Sequence, residues 1–185
     1  MTSAILIVFL LLIPGCFPVD QPQILDLSGK YVNPLHSEAR ATTLFFIQTD
    51  CPISNRYAPQ IVQLHNRFQG QDIAFWLVYP GRSKDPSAIR QHLAEYGLPP
   101  IVARDIDHVL VDRFGATITP EVVVFGSRGN VAYRGRIDDR YITIDQVRSQ
   151  VTRNDLAKAL EALLAGEHPD PSTTQAIGFP IAQLE

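Results

Sequence analysis

Cysteine is nearly missing from this sequence, with two in 185 residues, Cys16 and Cys51. That is too few for the disulfide framework of a small secreted scaffold. Runs of positive charge are missing too. Sixteen Lys and Arg stand against 19 Asp and Glu, for a formal net charge of -3. Without clustered cations to neutralise phosphates, a nucleic-acid partner is excluded. The five histidines (His36, His65, His92, His108 and His168) show no ligand spacing with a cysteine, and no C-x-x-x-C copper motif exists. The sequence therefore calls for no metal and no other cofactor. No apolar run reaches the roughly 20 residues that a membrane-spanning helix needs. What remains is 45% hydrophobic and 19% charged, which suits one globular domain with a real core.

One apolar run does stand out. Residues 4–13 read AILIVFLLLI and lead into Pro14-Gly15-Cys16. Its length fits the apolar region of a secretory signal. The ending resembles the lipobox of bacterial lipoproteins, which implies removal of residues 1–15, a lipid on Cys16 and a tether over residues 16–23. The n-region carries no Lys or Arg, so an uncleaved anchor or a misplaced start is the alternative. On the lipoprotein reading the chain is exported, periplasmic or at the cell surface, and held to the membrane by its lipid. Cys51 is then the only free thiol, either reactive or awaiting a partner.

Along the chain, residues 24–35 read as a hairpin around Ser28-Gly29. TLFFI at 43–47 reads as a strand buried on both faces. Pro52 suits a first helical position, and Tyr57, Ile61, Leu64, His65 and Phe68 recur at helical spacing up to about Gln69. A second strand spans residues 73–79. Asp85-Pro86 opens a helix through Tyr96, closed by Gly97. A short strand at 101–103 and a short helix at 109–114 follow. EVVVF at 121–125 then turns through SRGN and returns as VAYR at 131–134. The last helix runs from about 154 to 165, with Gly166 as its cap, and residues 167–185 read as an irregular tail. Helices between apolar strands imply parallel pairs, and the tight turn imposes an antiparallel one. The expected fold is α/β, a mixed sheet flanked by helices over residues 24–166, with the hairpin as an N-terminal extension.

Cys51 lies where the first buried strand hands over to a helix. The unpaired N–H groups and positive dipole end of that helix favour a thiolate there, Arg56 adds to this and Asp50 opposes it. The other reading of Cys51 is a small buried hydrophobe.

The stretches TLFFIQTDCPISNRYAPQIVQL and ITPEVVVFGSRGNVAYRGRIDDRY resemble the thioredoxin superfamily, and more narrowly the bacterial redoxin-domain proteins with a TDCPISN motif. The resemblance covers roughly residues 24 to 181 and implies a thioredoxin-like fold. It implies Cys51 as nucleophile, Pro120 as a cis-proline beside it, and Thr119 as backbone offered to an extended substrate. Asp50 and Pro52, which flank the thiol, are implied to bind substrate together with Thr119. Ser54 occupies the position of a resolving cysteine, where it serves as a hydrogen-bond donor to the sulfur. Relatives with this motif often close with Gly-Cys-x-Ile, whereas this chain has Gly178-Phe179-Pro180-Ile181. With one thiol, the implied chemistry is a mixed disulfide with a protein or low-molecular-weight thiol, resolved by an external thiol reductant. Two alternatives stand beside it. One is a non-catalytic binding module using the same groove. The other is a one-Cys peroxidase, although Gln48 stands where peroxiredoxins place a Thr. Arg134 to Arg140 (RGRIDDR) reads as a solvated, ion-paired loop or as a rim for a partner.

Overall fold

The computed structural model describes residues 24–81 and 85–184. The apolar run at 4–13, Cys16 and the tether lie outside the described residues. Within them the elements are β1 (Ile24–Leu25), β2 (Ala41–Phe46), α1 (Pro52–Phe68), β3 (Ile73–Pro80), α2 (Pro86–Tyr96), β4 (Val102–Asp105), α3 (Val109–Phe114), β5 (Ile118–Thr119), β6 (Glu121–Gly126), β7 (Val131–Gly135), α4 (Asp155–Leu164) and β8 (Phe179–Pro180).

Six strands form one sheet in the order β1-β4-β3-β2-β6-β7. β2, β3 and β4 run parallel, joined through α1 and α2, while β6, β7 and β1 pair antiparallel to their neighbours. β2 is central, and all six of its residues are buried. Its alternation divides the core in two. Phe45, Tyr79, Val122 and Val124 face a cluster fed by α1, α2 and α4. Leu44, Phe46, Val78, Val123 and Phe125 face a second, smaller cluster fed by α3. This is the expected mixed sheet with helices on both faces.

Local chemistry sets the ends of the elements. Asp85 caps α2 by accepting from Ser87 N at 2.9 Å, and Gly97 closes that helix at φ 64°, as the Asp-Pro and Gly signals imply. α3 has no such cap of its own. Its free amides at Leu110 and Val111 go instead to buried Asp105 at the end of β4, at 3.0 and 2.9 Å. Burial pushes the Asp105 carboxyl up, while those amides pull it down. The expected hairpin turn is present, with Asp26 Oδ1 accepting from Ser28 N and Lys30 N. Its first arm, β1, pairs with β4 at the sheet edge, and its return arm makes only the bridge between Leu25 and Tyr31.

Two segments differ from expectation. The acids of RGRIDDR are not solvated: Asp138 is 2% and Asp139 3% exposed. Asp138 accepts from the Tyr57 hydroxyl at 2.6 Å. Asp139 gathers Thr152 N, Arg153 N and the Thr152 hydroxyl, so it organises the long connection between β7 and α4. The second segment is the C-terminal one, 167–185, which is not irregular throughout. It carries β8, which pairs antiparallel with β5. Upstream, Arg134 N donates to Ser172 O and Thr174 N donates back to Arg134 O, both at 2.9 Å. Free backbone groups on one side of β7 and along β5 draw the tail into pairing.

Burial of Asp139 opposes its charge, but the Thr152 hydroxyl and the two amides outweigh it and hold the carboxyl well below the usual aspartate range. Asp139→Asn is expected to cost about 2 kcal/mol in urea unfolding at neutral pH, the scale of hydrogen bonds to a charged acceptor. A lowered folded pKa means that the contribution is complete above about pH 4 and fades as pH falls from there. The difference between wild type and variant should therefore narrow only on acidification below that point.

Candidate functional site

The site forms where β2 gives way to α1. Cys51 is the N-cap of α1, with extended backbone (φ -84°, ψ 109°), and Pro52 starts the helix. A proline there lacks an amide that would have had no helical partner. The sulfur takes the place of a capping oxygen, accepting from Ser54 N at 3.3 Å. On its other side the S–H donates to Thr119 O at 3.1 Å. The thiol is free and 2% exposed.

Thr119 belongs to β5, and its peptide bond to Pro120 is cis. The Thr119 hydroxyl donates to Gln48 Oε1 at 3.2 Å, tying β5 to the loop before Cys51. Cys51, Ser54, Thr119 and Pro120 are thus brought together, all buried. Asp50 and Pro52 lie at the exposed rim of the same loop, and Arg56 is exposed on α1. The Ser54 group that donates to the sulfur is its amide, while the buried Ser54 hydroxyl has no partner among the described residues. A helix first turn directs its amides, not its side chains, at the cap. Among the described residues, no group of three or more His, Cys, Asp or Glu is placed to hold a metal ion, and no helix is long and apolar enough to cross a membrane.

A relay that the sequence reading missed steadies the loop. Tyr79 Oη and His92 Nδ1 lie 2.8 Å apart, His92 Nε2 is 2.8 Å from Asn55 Oδ1, and Asn55 Nδ2 donates to Thr49 O at 3.2 Å. Asn55 Oδ1 can only accept, so Nε2 carries the proton and Nδ1 accepts from the tyrosine. Nothing local in the sequence marks His92 for this, because its partners come from two other elements. β8 was missed as well. Its signal was the alternation of Ile177, Phe179 and Ile181, interrupted by Pro180. Beside it opens a groove of about 790 Å³, walled in part by Ile118, Ile142, Ile144 and Ile177, with Arg134 and Glu121 paired at 2.7 Å.

Residues 22–134 match the model of the AhpC/TSA family. The chain belongs to that family. No curated protein matches the sequence. Among solved structures, an uncharacterized conserved protein from Geobacillus kaustophilus superposes with a TM-score of 0.77 at 24% identity, covering 88% of each chain. A secreted Mycobacterium tuberculosis disulfide oxidoreductase homologous to E. coli DsbE gives 0.52 at 19% identity, over 77% of this chain and 93% of that one. A thioredoxin-like protein from Aeropyrum pernix gives 0.53 at 19%, over 60% of this chain and 78% of that one. At these identities the likeness establishes the fold, which is thioredoxin-like. This AhpC/TSA chain thus presents one buried thiol between a helix N-terminus and the carbonyl of a cis-prolyl peptide. Sulfur so placed can be held as a thiol by Thr119 or, as a thiolate, by the Ser54 amide.

Burial opposes charge on His92 and lowers its pKa, with Glu95 pulling weakly the other way. A neutral folded form means that the unfolded chain binds the extra proton as pH falls below about 6.5, so stability declines there. Urea midpoints measured from pH 7.5 to 5 should show this decline, and His92→Gln should remove the part that belongs to His92.

Proposed function

We propose that the protein is an exported thiol–disulfide exchange protein working through Cys51 alone. The observation that carries this is the sulfur itself, which caps α1 and faces the Thr119 carbonyl beside a cis-proline. In the exchange step the Cys51 thiolate attacks one sulfur of a disulfide R–S–S–R′. A Cys51–S–S–R bond forms, the R–S–S–R′ bond breaks, and R′S⁻ leaves to take up a proton from solvent. A thiolate from an external reductant then attacks the mixed disulfide and returns Cys51 as thiolate. Ser54 has no sulfur with which to resolve that intermediate, so the second thiol comes from outside. The Ser54 amide stabilises the negative sulfur in both steps, and Thr119 and Pro120 form the shelf that aligns the incoming disulfide. Asp50 and Pro52 border the approach.

Support for the setting comes from the apolar run at 4–13 with Pro14-Gly15-Cys16, which we read as a lipoprotein signal anchoring the domain outside the cytoplasm. A solved neighbour is described as a secreted disulfide oxidoreductase, which agrees with that setting.

The test is turnover of a glutathionylated peptide with excess reduced glutathione. Cys51→Ser should fall to the uncatalysed rate. Ser54→Ala keeps the amide that faces the sulfur and should retain activity within about threefold, a difference below 1 kcal/mol. Equal rates for wild type and Cys51→Ser would reject the exchange reading.

A further inference from the structure

The shelf beside Cys51 is not bare. β5 stands outside the six-stranded sheet, and its partner is β8, the chain's own C-terminal segment. The register sets Thr119 opposite Phe179 and Ile118 opposite Pro180, antiparallel. Ile181 N extends the pairing to Thr117 O at 2.9 Å. The Thr119 residue that takes the Cys51 S–H is therefore already paired with an extended segment.

Gly178 shows how closely that segment lies. A Cβ at this position would fall 2.1 Å from Thr119 O, 2.6 Å from Thr119 C and 3.1 Å from Pro120 N. Its φ is not in the left-handed region, so glycine is needed for the close approach and not for a turn. Upstream, Gly135 at φ 142° has Thr174 O 2.2 Å from its would-be Cβ, beside the two hydrogen bonds between Arg134 and the tail. Ile177 and Phe179 pack on the core cluster that contains Cys51, and Ile181 is 6% exposed in the other cluster. The segment is clipped upstream, laid against the Thr119–Pro120 peptide that faces the thiol and pinned at its end.

We propose that residues 175–181 act as a built-in pseudo-client, and that real clients enter by exchanging with them on β5. This rests on the exchange reading of Cys51 and names the substrate class. The client is an extended polypeptide segment bearing a disulfide. It pairs antiparallel with β5, sets a glycine or similarly small residue over the Thr119–Pro120 peptide, and places apolar side chains at alternate positions around it. A client surface without an unpaired extended strand does not offer the backbone for that pairing. β8 is a short ladder of two residues, so local opening exposes the thiol while the six-stranded sheet stays intact.

The test compares alkylation of Cys51 by iodoacetamide at neutral pH in the full chain and in Gly178→Ala, with hydrogen exchange read on both. Adding the methyl group should dislodge the strap. We expect Cys51 to alkylate about tenfold faster, corresponding to about 1.4 kcal/mol of lost closure. Protection at the Ile181 amide should fall while the amides of β2 and β6 stay protected. Phe179→Ala, which removes packing without a clash, should shift both readouts in the same direction. A synthetic peptide with the sequence of residues 174–182 should slow alkylation of Gly178→Ala, and a scrambled peptide should not. Alkylation within twofold of wild type in both variants with the sheet intact, or an unprotected Ile181 amide in wild type, overturns the proposal. Fast alkylation of Gly178→Ala without mixed-disulfide formation on a disulfide-bearing peptide would leave the strap standing and reject the exchange reading.

Discussion

The hydrogen bond from the Cys51 thiol to the Thr119 carbonyl holds the two halves of this site together. One end belongs to the parallel unit, in which β2 delivers Cys51 to the start of α1. The other belongs to the antiparallel unit that follows α3. The residues joined are 68 positions apart in sequence. Their meeting depends on the register of β2 against β6, which aligns Phe46 with Glu121 and so sets the ends of both strands side by side. Gln48 adds a second tie through the Thr119 hydroxyl. Displacing β5 would therefore deprive the sulfur of its acceptor and the loop before α1 of its brace.

That constraint explains why the chemistry is narrow. A sulfur that caps a helix has one amide to stabilise its charge, and a neighbouring hydroxyl at Ser54 cannot act as a second thiol. The Tyr79–His92–Asn55 relay fixes the backbone at Thr49 and holds no proton-transfer group against Cys51. The tail completes the arrangement by pairing with the same stretch of backbone that faces the thiol. On the proposed reading, this thiol, the cis-prolyl backbone beside it and the tail paired with β5 are the parts that exchange with an outside partner uses.

Much of the fold was legible because it depends on local chemistry. The β2 apolar run, Pro52 after Cys51, the Asp85-Pro86 start and the Gly97 stop each act within a few residues, and each lies where the sequence implies. Cys51, Thr119 and Pro120 came from a motif resemblance, and their proximity follows from the topology. Other features were hidden because their partners are remote. Asp138 and Asp139 look like surface charges until Tyr57 and Thr152 arrive from distant positions. His92 gains meaning only between Tyr79 and Asn55. In the tail, Pro180 disguised an alternating strand, and what draws that strand in is the unpaired backbone of β5. Which group of Ser54 meets the sulfur was not legible either, because the direction of the amides in the first turn of α1 decides it.

The most direct measurement is fragment-resolved mass spectrometry of the full chain after incubation with glutathione disulfide under native conditions. Exchange through Cys51 alone requires a single glutathione on Cys51, released by added thiol, with no internal crosslink involving that residue. A native protein whose Cys51 stays unmodified, while the urea-unfolded chain takes up glutathione there, would contradict it.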